Sequence, residues 1–424
     1  AIYFLTPTDK SIRDLMNDWN GPVDKVQYKA AHLFFTDQVP HELFQEIATS
    51  NVSKYIKNFR EINVAFIATE NRIFELDQPN FLVNMYSPEN SKYIQFQNPL
   101  ERIADQLSTV CATLGEYPSI RWYRNSSNWS AQYQSDHCER LANLVLQKLN
   151  SFKADDPEIG ESGDKHKSQL IILDRSFDVI SPLMHELTYQ AMVMDLVVSS
   201  NKSSTDVYTY TKKLPTGEEK TVQAPLDEDD ELWVKHRHSH IALVSNAIPE
   251  AIKNFSEKKK IDNLSKQGKP VTIRELTATV RKMPQFQKEL SAYECHFNLA
   301  EQSMTAYNNG VEDLCKIEQD LAMGENQAYE KIKEPMREII PSLLNKSLKN
   351  KDKVRIILLY ILFKGGITRD NLDKLCDRAE IDEHSKQIIM NYAKMGIPLF
   401  LGLVECFVNF LLEIRIIIMN RHFL

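Results

Sequence analysis

Ile2-Tyr3-Phe4-Leu5-Thr6-Pro7-Thr8-Asp9 opens the chain, and Ala30-Ala31-His32-Leu33-Phe34-Phe35 follows after one helical length of sequence. Each apolar run is short, rich in β-branched or aromatic residues, and bounded by turn formers, which reads as a buried strand. Between them Thr6 is placed to cap a helix, Pro7 suits its first turn, and Asp9 sits at its positive end, so a helix is expected to about Trp19. Pro40 to Ser50 reads as a second helix with Leu43, Phe44 and Ile47 on one side, and Ile62 to Ala68 as a third strand. Strands alternating with helices imply a parallel sheet covered on both faces.

The alternation continues through Ile73 to Leu76, a helix from Pro99 to Leu114, Ile120 to Tyr123, a helix from Cys138 to Phe152, and the strand Gln169 to Asp174. The acidic stretch Ala154 to Lys167 and the Asn- and Ser-rich stretch Asn125 to Ser135 read as surface loops. After Pro182 the period changes to 3.6. Helices are expected over His185 to Val198, Leu226 to Ile248, Ile273 to Lys282, Gln285 to Met323, Tyr329 to Leu344, Lys353 to Phe363, Arg369 to Ala379 and Ser385 to Lys394. Val207 to Ala224 breaks that pattern, with two β-rich runs flanking Pro215-Thr216-Gly217 as in a hairpin. The fold class is therefore α/β plus α: two parallel-sheet α/β domains, residues 1–63 and 64–178, then a mainly helical domain, 179–396, with a hairpin around 250–300, and an atypical apolar tail, 397–424.

Composition narrows the function. The 424 residues carry 51 basic and 58 acidic side chains, a net charge of −7, so nothing draws the protein onto nucleic acid by counterion release. Six cysteines lie far apart with no C-x-x-C pair, which argues against a zinc module and a disulfide framework and for a reducing compartment. Neither G-x-x-x-x-G-K-[ST] nor G-x-G-x-x-G occurs, so no phosphate-cradling turn is expected. G-x-S-x-G and H-E-x-x-H are absent too.

Three weaker features are candidate sites. His236-Arg237-His238-Ser239-His240 would put His236 and His240 on one helical face for a metal, but Trp233, Val244 and Ala247 share that spacing, so core histidines are the preferred reading. Asp174, after a strand end, stands where an open α/β enzyme keeps a catalytic carboxylate; an Asp there more often caps the next turn. The run Asp227 to Glu231 lacks the alternating ligands of a calcium loop and reads as favourable charge at a helix start. The tail Ile397 to Met419 is apolar, yet Glu405, Asn409, Glu413 and Arg415 interrupt it, and each ionised group at a bilayer centre costs about 2.5–3.5 kcal/mol. A buried helix or an aberrant tail is expected rather than an anchor.

Gln169-Leu170-Ile171-Ile172-Leu173-Asp174-Arg175, Ser181-Pro182-Leu183, His185-Glu186-Leu187-Thr188-Tyr189-Gln190-Ala191-Met192, Lys282-Met283-Pro284-Gln285, Glu318 to Gly324 and Arg355 to Tyr360 together resemble the Sec/Munc (SM) family of syntaxin-binding proteins, in its neuronal, exocytic branch. The resemblance spans about residues 1–396. It implies a three-domain arch, here incomplete, that holds syntaxin and assembles SNARE helices during vesicle docking and fusion. It implies no catalysis, no cofactor and no metal. The implied location is cytoplasmic, at the plasma membrane, with membrane association through syntaxin. An outer pocket for a syntaxin N-terminal peptide would be walled by Phe44, Ala48, Ile56, Phe59 and Glu61, with Ala48 standing where a larger aliphatic residue is usual. Pro284 would lie at a helical hairpin that aligns SNARE helices. The family's first strands would precede Ala1, and the apolar tail replaces its continuation after Gly396. A hydrolase built on Asp174 or the histidines, and a tail-anchored membrane adaptor, are the alternatives.

Overall fold

A computed structural model describes residues 1–20, 28–79, 81, 99–123, 136–161, 167–198, 207–213, 219–264, 284–395, 397 and 399–401. They fall into two compact units, one of residues 1–177 with 394–396 and one of residues 178–393 with 397–424.

In the first unit, β1 (Ile2–Leu5), β2 (Ala31–Phe35) and β3 (Ile56–Glu61) form a parallel sheet in the order β1-β2-β3. Helices α1 (Asp9–Asp18) and α2 (His41–Thr49) supply Ile12, Leu15, Leu43 and Ile47 to the core. On the central strand Ala31, Leu33 and Phe35 point into that core while His32 and Phe34 alternate outward. Trp19, at the C-cap of α1, is buried; its indole N–H donates to Tyr3 Oη (3.1 Å), whose hydroxyl donates to Asp18 Oδ2 (3.0 Å).

Two details differ from the sequence reading. Thr8, not Thr6, caps α1, its Oγ1 accepting from Ser11 N at 3.3 Å. The third strand lies at Ile56–Glu61, not Ile62–Ala68. As an edge strand it needs few apolar residues, and Asn63, held at a left-handed φ of 51°, interrupts the apolar run that follows.

Next come β4 (Ile67–Glu70) and β5 (Ile73–Glu75), an antiparallel pair, then α3 (Pro99–Leu114), β6 (Ser119–Trp122), α4 (His137–Asp155) and β7 (Gln169–Ile172). β6 and β7 pair in parallel, with Ile120 opposite Leu170. Leu100, Ile103 and Ala104 of α3 and Leu141, Val145 and Leu149 of α4 form the core with Ile172. Gln106 of α3 ties this layer to both sides of the β4–β5 pair, donating to Ala65 O ahead of β4 and to Leu76 O just after β5 at 2.8 Å each, and Arg102 pairs with Asp37 beyond β2.

The second unit is mainly helical. A short helix α5 (Tyr189–Met192) runs into a π-helical turn, Val193–Val197. The hairpin read from the sequence is present as antiparallel β8 (Val207–Lys213) and β9 (Glu219–Pro225). Helices α6 (Glu231–His236), α7 (Ile241–Leu264), α8 (Pro284–Ala306), α9 (Glu312–Met323), α10 (Pro335–Leu344), α11 (Asn350–Lys364), α12 (Arg369–Arg378) and α13 (Glu383–Asn391) follow. The single helix expected over Leu226 to Ile248 is broken after His236, because the carbonyls of Arg237 and Ser239 accept from Gln190 N and Tyr189 N (2.9 Å each) instead of from their own helix. The helix expected over Gln285 to Met323 is likewise divided by a π-helical turn, where Gly310 takes φ 126°. Its core gathers Tyr189, Trp233, Val244, Ile248, Cys295 and Leu299. α11 buries residues on every side, from Val354 through Leu362, which marks it as a central helix. The expected helix Ile273 to Lys282, the loop Asn125 to Ser135 and the tail beyond 401 lie outside the described residues.

Leu33 tests the first core. Leu33→Ala should lower unfolding stability by about 2–5 kcal/mol, whereas His32→Ala on the other face should cost under about 1 kcal/mol, read as shifts in urea midpoint.

Candidate functional site

Two surfaces carry the residues that the resemblance selects. On the first unit, Phe44 projects from α2 with 46% of its surface exposed, and its ring meets Phe59 of β3 edge-on at 5.5 Å and 88°. Phe59 in turn leans on the buried Phe35 ring at 5.2 Å. Ala48 lies one helical turn beyond Phe44 and is exposed; Ile56, at the start of β3, is half-buried against the same core as Phe59. Phe44, Ala48, Ile56 and Phe59 thus belong to one helix-and-edge-strand corner. Glu61 ends β3 and accepts from Val39 N at 2.9 Å, so one carboxylate oxygen holds the loop that leads into α2. On the second unit, Pro284 is the first residue of α8, the position at which a proline is tolerated without losing a helical hydrogen bond. α8 packs against α7. An open groove of about 420 Å³ runs along α8, with Leu196 and Val197 on one side and Asn298, Glu301, Gln302, Thr305 and Asn309 on the other.

A buried charge cluster braces this second unit. His185 donates its main-chain N–H to Glu318 Oε2 and its ring Nδ1–H to Glu318 Oε1, both at 2.8 Å, and both side chains are almost wholly buried. Asp352 Oδ1 lies 3.5 Å from His185 Nε2. Asp195 accepts from Arg355 Nη1 and from Lys351 Nζ at 2.7 Å each. Burial pushes the imidazole toward neutrality, and Arg355 Nη1, 2.9 Å from Nε2, sets a cation beside it; the Asp352 and Glu318 carboxylates outweigh both and hold its pKa up at about 9. Burial likewise opposes ionisation of Asp195, but Arg355 and Lys351 take its pKa down to about 2. His185, Glu318 and Arg355 stand in the sequence motifs, yet partners 133 and 170 residues apart leave no local signal of their pairing.

The weaker sequence candidates resolve into local structure. Asp174 Oδ1 accepts from Ser176 N at 2.8 Å and closes the turn after β7. Asp230, in the acidic run, caps α6 by accepting from Leu232 N and Trp233 N at 3.0 Å each, and Glu228 pairs with the buried Arg237 at 2.7 Å. His236 and His240 do not share a helix: His236 ends α6, while His240 Nδ1 accepts from Ala242 N (3.2 Å) ahead of α7. Among the described residues the one group with metal-ligand spacing is His185, Cys315 and Glu318. There a metal would have to displace the Nδ1 proton that Glu318 accepts and a thiol proton that burial keeps on up to a pKa of about 12, so the donor set does not favour an ion. No helix among the described residues is long and apolar enough to cross a membrane.

The described residues thus form two small parallel sheets packed with helices, followed along the chain by a mainly helical unit, an α/β plus α fold. The Sec1 family model matches residues 1–412, and the chain belongs to the Sec1 family. It is 33% identical over 404 residues to protein transport protein sec1 of Dictyostelium discoideum, covering 95% of this chain and 64% of that protein. It is 29% identical over 338 residues to the SNARE-interacting protein KEULE of Arabidopsis thaliana, covering 77% and 48% respectively. The fold matches Unc18 in the Unc18–syntaxin 1 complex from Monosiga brevicollis with a TM-score of 0.79 and 28% identity, over 94% of this chain and 67% of that one. The SM protein Vps45, solved with the Qa SNARE Tlg2, shares the fold at a TM-score of 0.67 and 20% identity. The chain spans about half to two-thirds of the length of these relatives.

The charge cluster sets a stability window. Asp195 contributes fully above its ordinary pKa of 3.8 and loses its contribution as pH falls through about 2; His185 contributes fully below 6.5 and loses it as pH rises through about 9. Thermal melts should therefore show a plateau between those limits with a decline on either side. Asp195→Ala, which removes the carboxylate that Arg355 and Lys351 share, should cost about 1.5–3 kcal/mol in denaturant unfolding at pH 6.

Proposed function

We propose that this chain is the part of a vesicle-fusion regulator that binds a syntaxin-type SNARE and helps SNARE helices assemble in exocytosis. It works as a scaffold, without catalysis or a cofactor, at the cytoplasmic face of the plasma membrane, and meets the membrane through its partner. The observation that carries this reading is the likeness to Unc18 of the Unc18–syntaxin 1 complex over 94% of the chain. The corner of Phe44, Ala48, Ile56 and Phe59 takes the N-terminal peptide of the syntaxin, the exposed Phe44 ring acting as its apolar anchor. The small Ala48 leaves room for a bulkier peptide side chain at that point. The helical pair α7 and α8, with Pro284 at the start of α8, meets SNARE helices in the helix-in-groove mode.

Immobilised syntaxin cytoplasmic domain should retain the chain, and absence of retention overturns the reading. Phe44→Ala should weaken binding of a syntaxin N-terminal peptide by about tenfold or more, because a partly exposed aromatic anchor carries roughly 1–3 kcal/mol, while the melting temperature stays within a few degrees. Unchanged peptide affinity in Phe44→Ala would remove the corner from the site.

A further inference from the structure

Beneath α8 lies a chain of hydrogen bonds that neither the aromatic corner nor the charge cluster uses. His296, in the middle of α8, is buried; its Nε2–H donates to Asp230 Oδ2 at 2.9 Å, and its Nδ1 accepts from Tyr189 Oη–H at 2.9 Å. Both ring nitrogens are thereby committed. Asp230 spends its other oxygen on the main-chain N–H groups of Leu232 and Trp233, the cap of α6. Tyr189 is the first residue of α5, and its main-chain N–H is held by Ser239 O just past α6. Trp233 fills the space between: its ring stacks on His296 at 6.3 Å and 18° and meets Tyr189 edge-on at 5.5 Å. Three elements, α5, α6 and α8, are joined by one polar thread through an otherwise apolar core.

Apolar packing alone leaves a helix free to rotate or slide toward a near-equivalent fit, whereas a buried hydrogen-bonding side chain accepts one register, since any other leaves it unpaired. His296 faces the core while Phe297, the next residue, is 42% exposed, so a rotation of α8 by one position would exchange what it hides and what it presents.

We propose that the Asp230–His296–Tyr189 thread is a positioning relay that fixes the register of α8, and so sets the face which the helical pair offers to a SNARE helix. The proposal rests on the partner-binding reading of α7 and α8. The relay residues touch no partner themselves.

Amide hydrogen exchange on the full chain, with syntaxin cytoplasmic domain binding measured in parallel, tests it. Tyr189→Phe removes only the hydroxyl, and Asp230→Ala removes both the acceptor for His296 and the cap; each should speed exchange along α8 by about tenfold while α11 keeps its protection, and should weaken syntaxin binding by a similar factor. Asp230→Asn, which retains the cap and a hydrogen-bonding partner for the ring, should restore both readouts toward wild type. Exchange in α8 that does not change in Tyr189→Phe, or that rises equally in α11, overturns the relay. Failure of the unaltered chain to bind syntaxin overturns the partner reading instead, and the exchange data still decide the relay.

Discussion

Glu318 is a carboxylate with almost no exposure, and His185 meets it twice, once with a main-chain N–H and once with its ring, so that its buried oxygens are paired. That pairing reaches outward. His185 needs Asp352 as well, Asp352 lies beside Arg355, Arg355 needs Asp195, and Asp195 also takes Lys351. The segment before α5, the π-helical turn after it, α9 and α11 are therefore joined by one chain of paired charges. The apolar contacts of this unit permit many close arrangements; the paired charges select one.

The same logic explains where the sequence was legible. α3 was read over its full extent, because a 16-residue amphipathic period beginning at a proline carries its own boundaries. β2 is equally plain, since four of its five residues are apolar and Ala31, Leu33 and Phe35 are buried. β3 was misplaced by six residues: an edge strand with Lys57, Asn58 and Arg60 looks polar, and the apolar run that follows is diverted by the left-handed Asn63. The breaks after His236 and at Gly310 were invisible for a different reason, since amides from a distant turn in one case and a single glycine in the other override a helical period that the residues themselves keep.

The corner of Phe44 and Phe59, proposed above as a peptide site, is suggested in the sequence only by resemblance. Phe44 reads as one more apolar residue of an amphipathic helix, and nothing in its spacing marks it as exposed; the edge contact with Phe59 becomes visible only once β3 is placed. Pro284 was legible as a helix boundary from its chemistry. The relay at His296 and the cluster at His185 join residues separated by up to 170 positions, beyond any local pattern.

That last separation has a bearing on how the protein is made. A ribosome extends a chain by roughly 5–20 residues each second, so about 10 to 30 seconds pass between the appearance of His185 and that of Arg355. During this interval His185 and Asp195 have emerged without the residues that will neutralise and enclose them, while β1, β2 and β3 have all been synthesised already. Biosynthesis thus imposes an order in which the α/β layers can settle early and the helical unit waits, exposed to chaperones, for α11 to arrive.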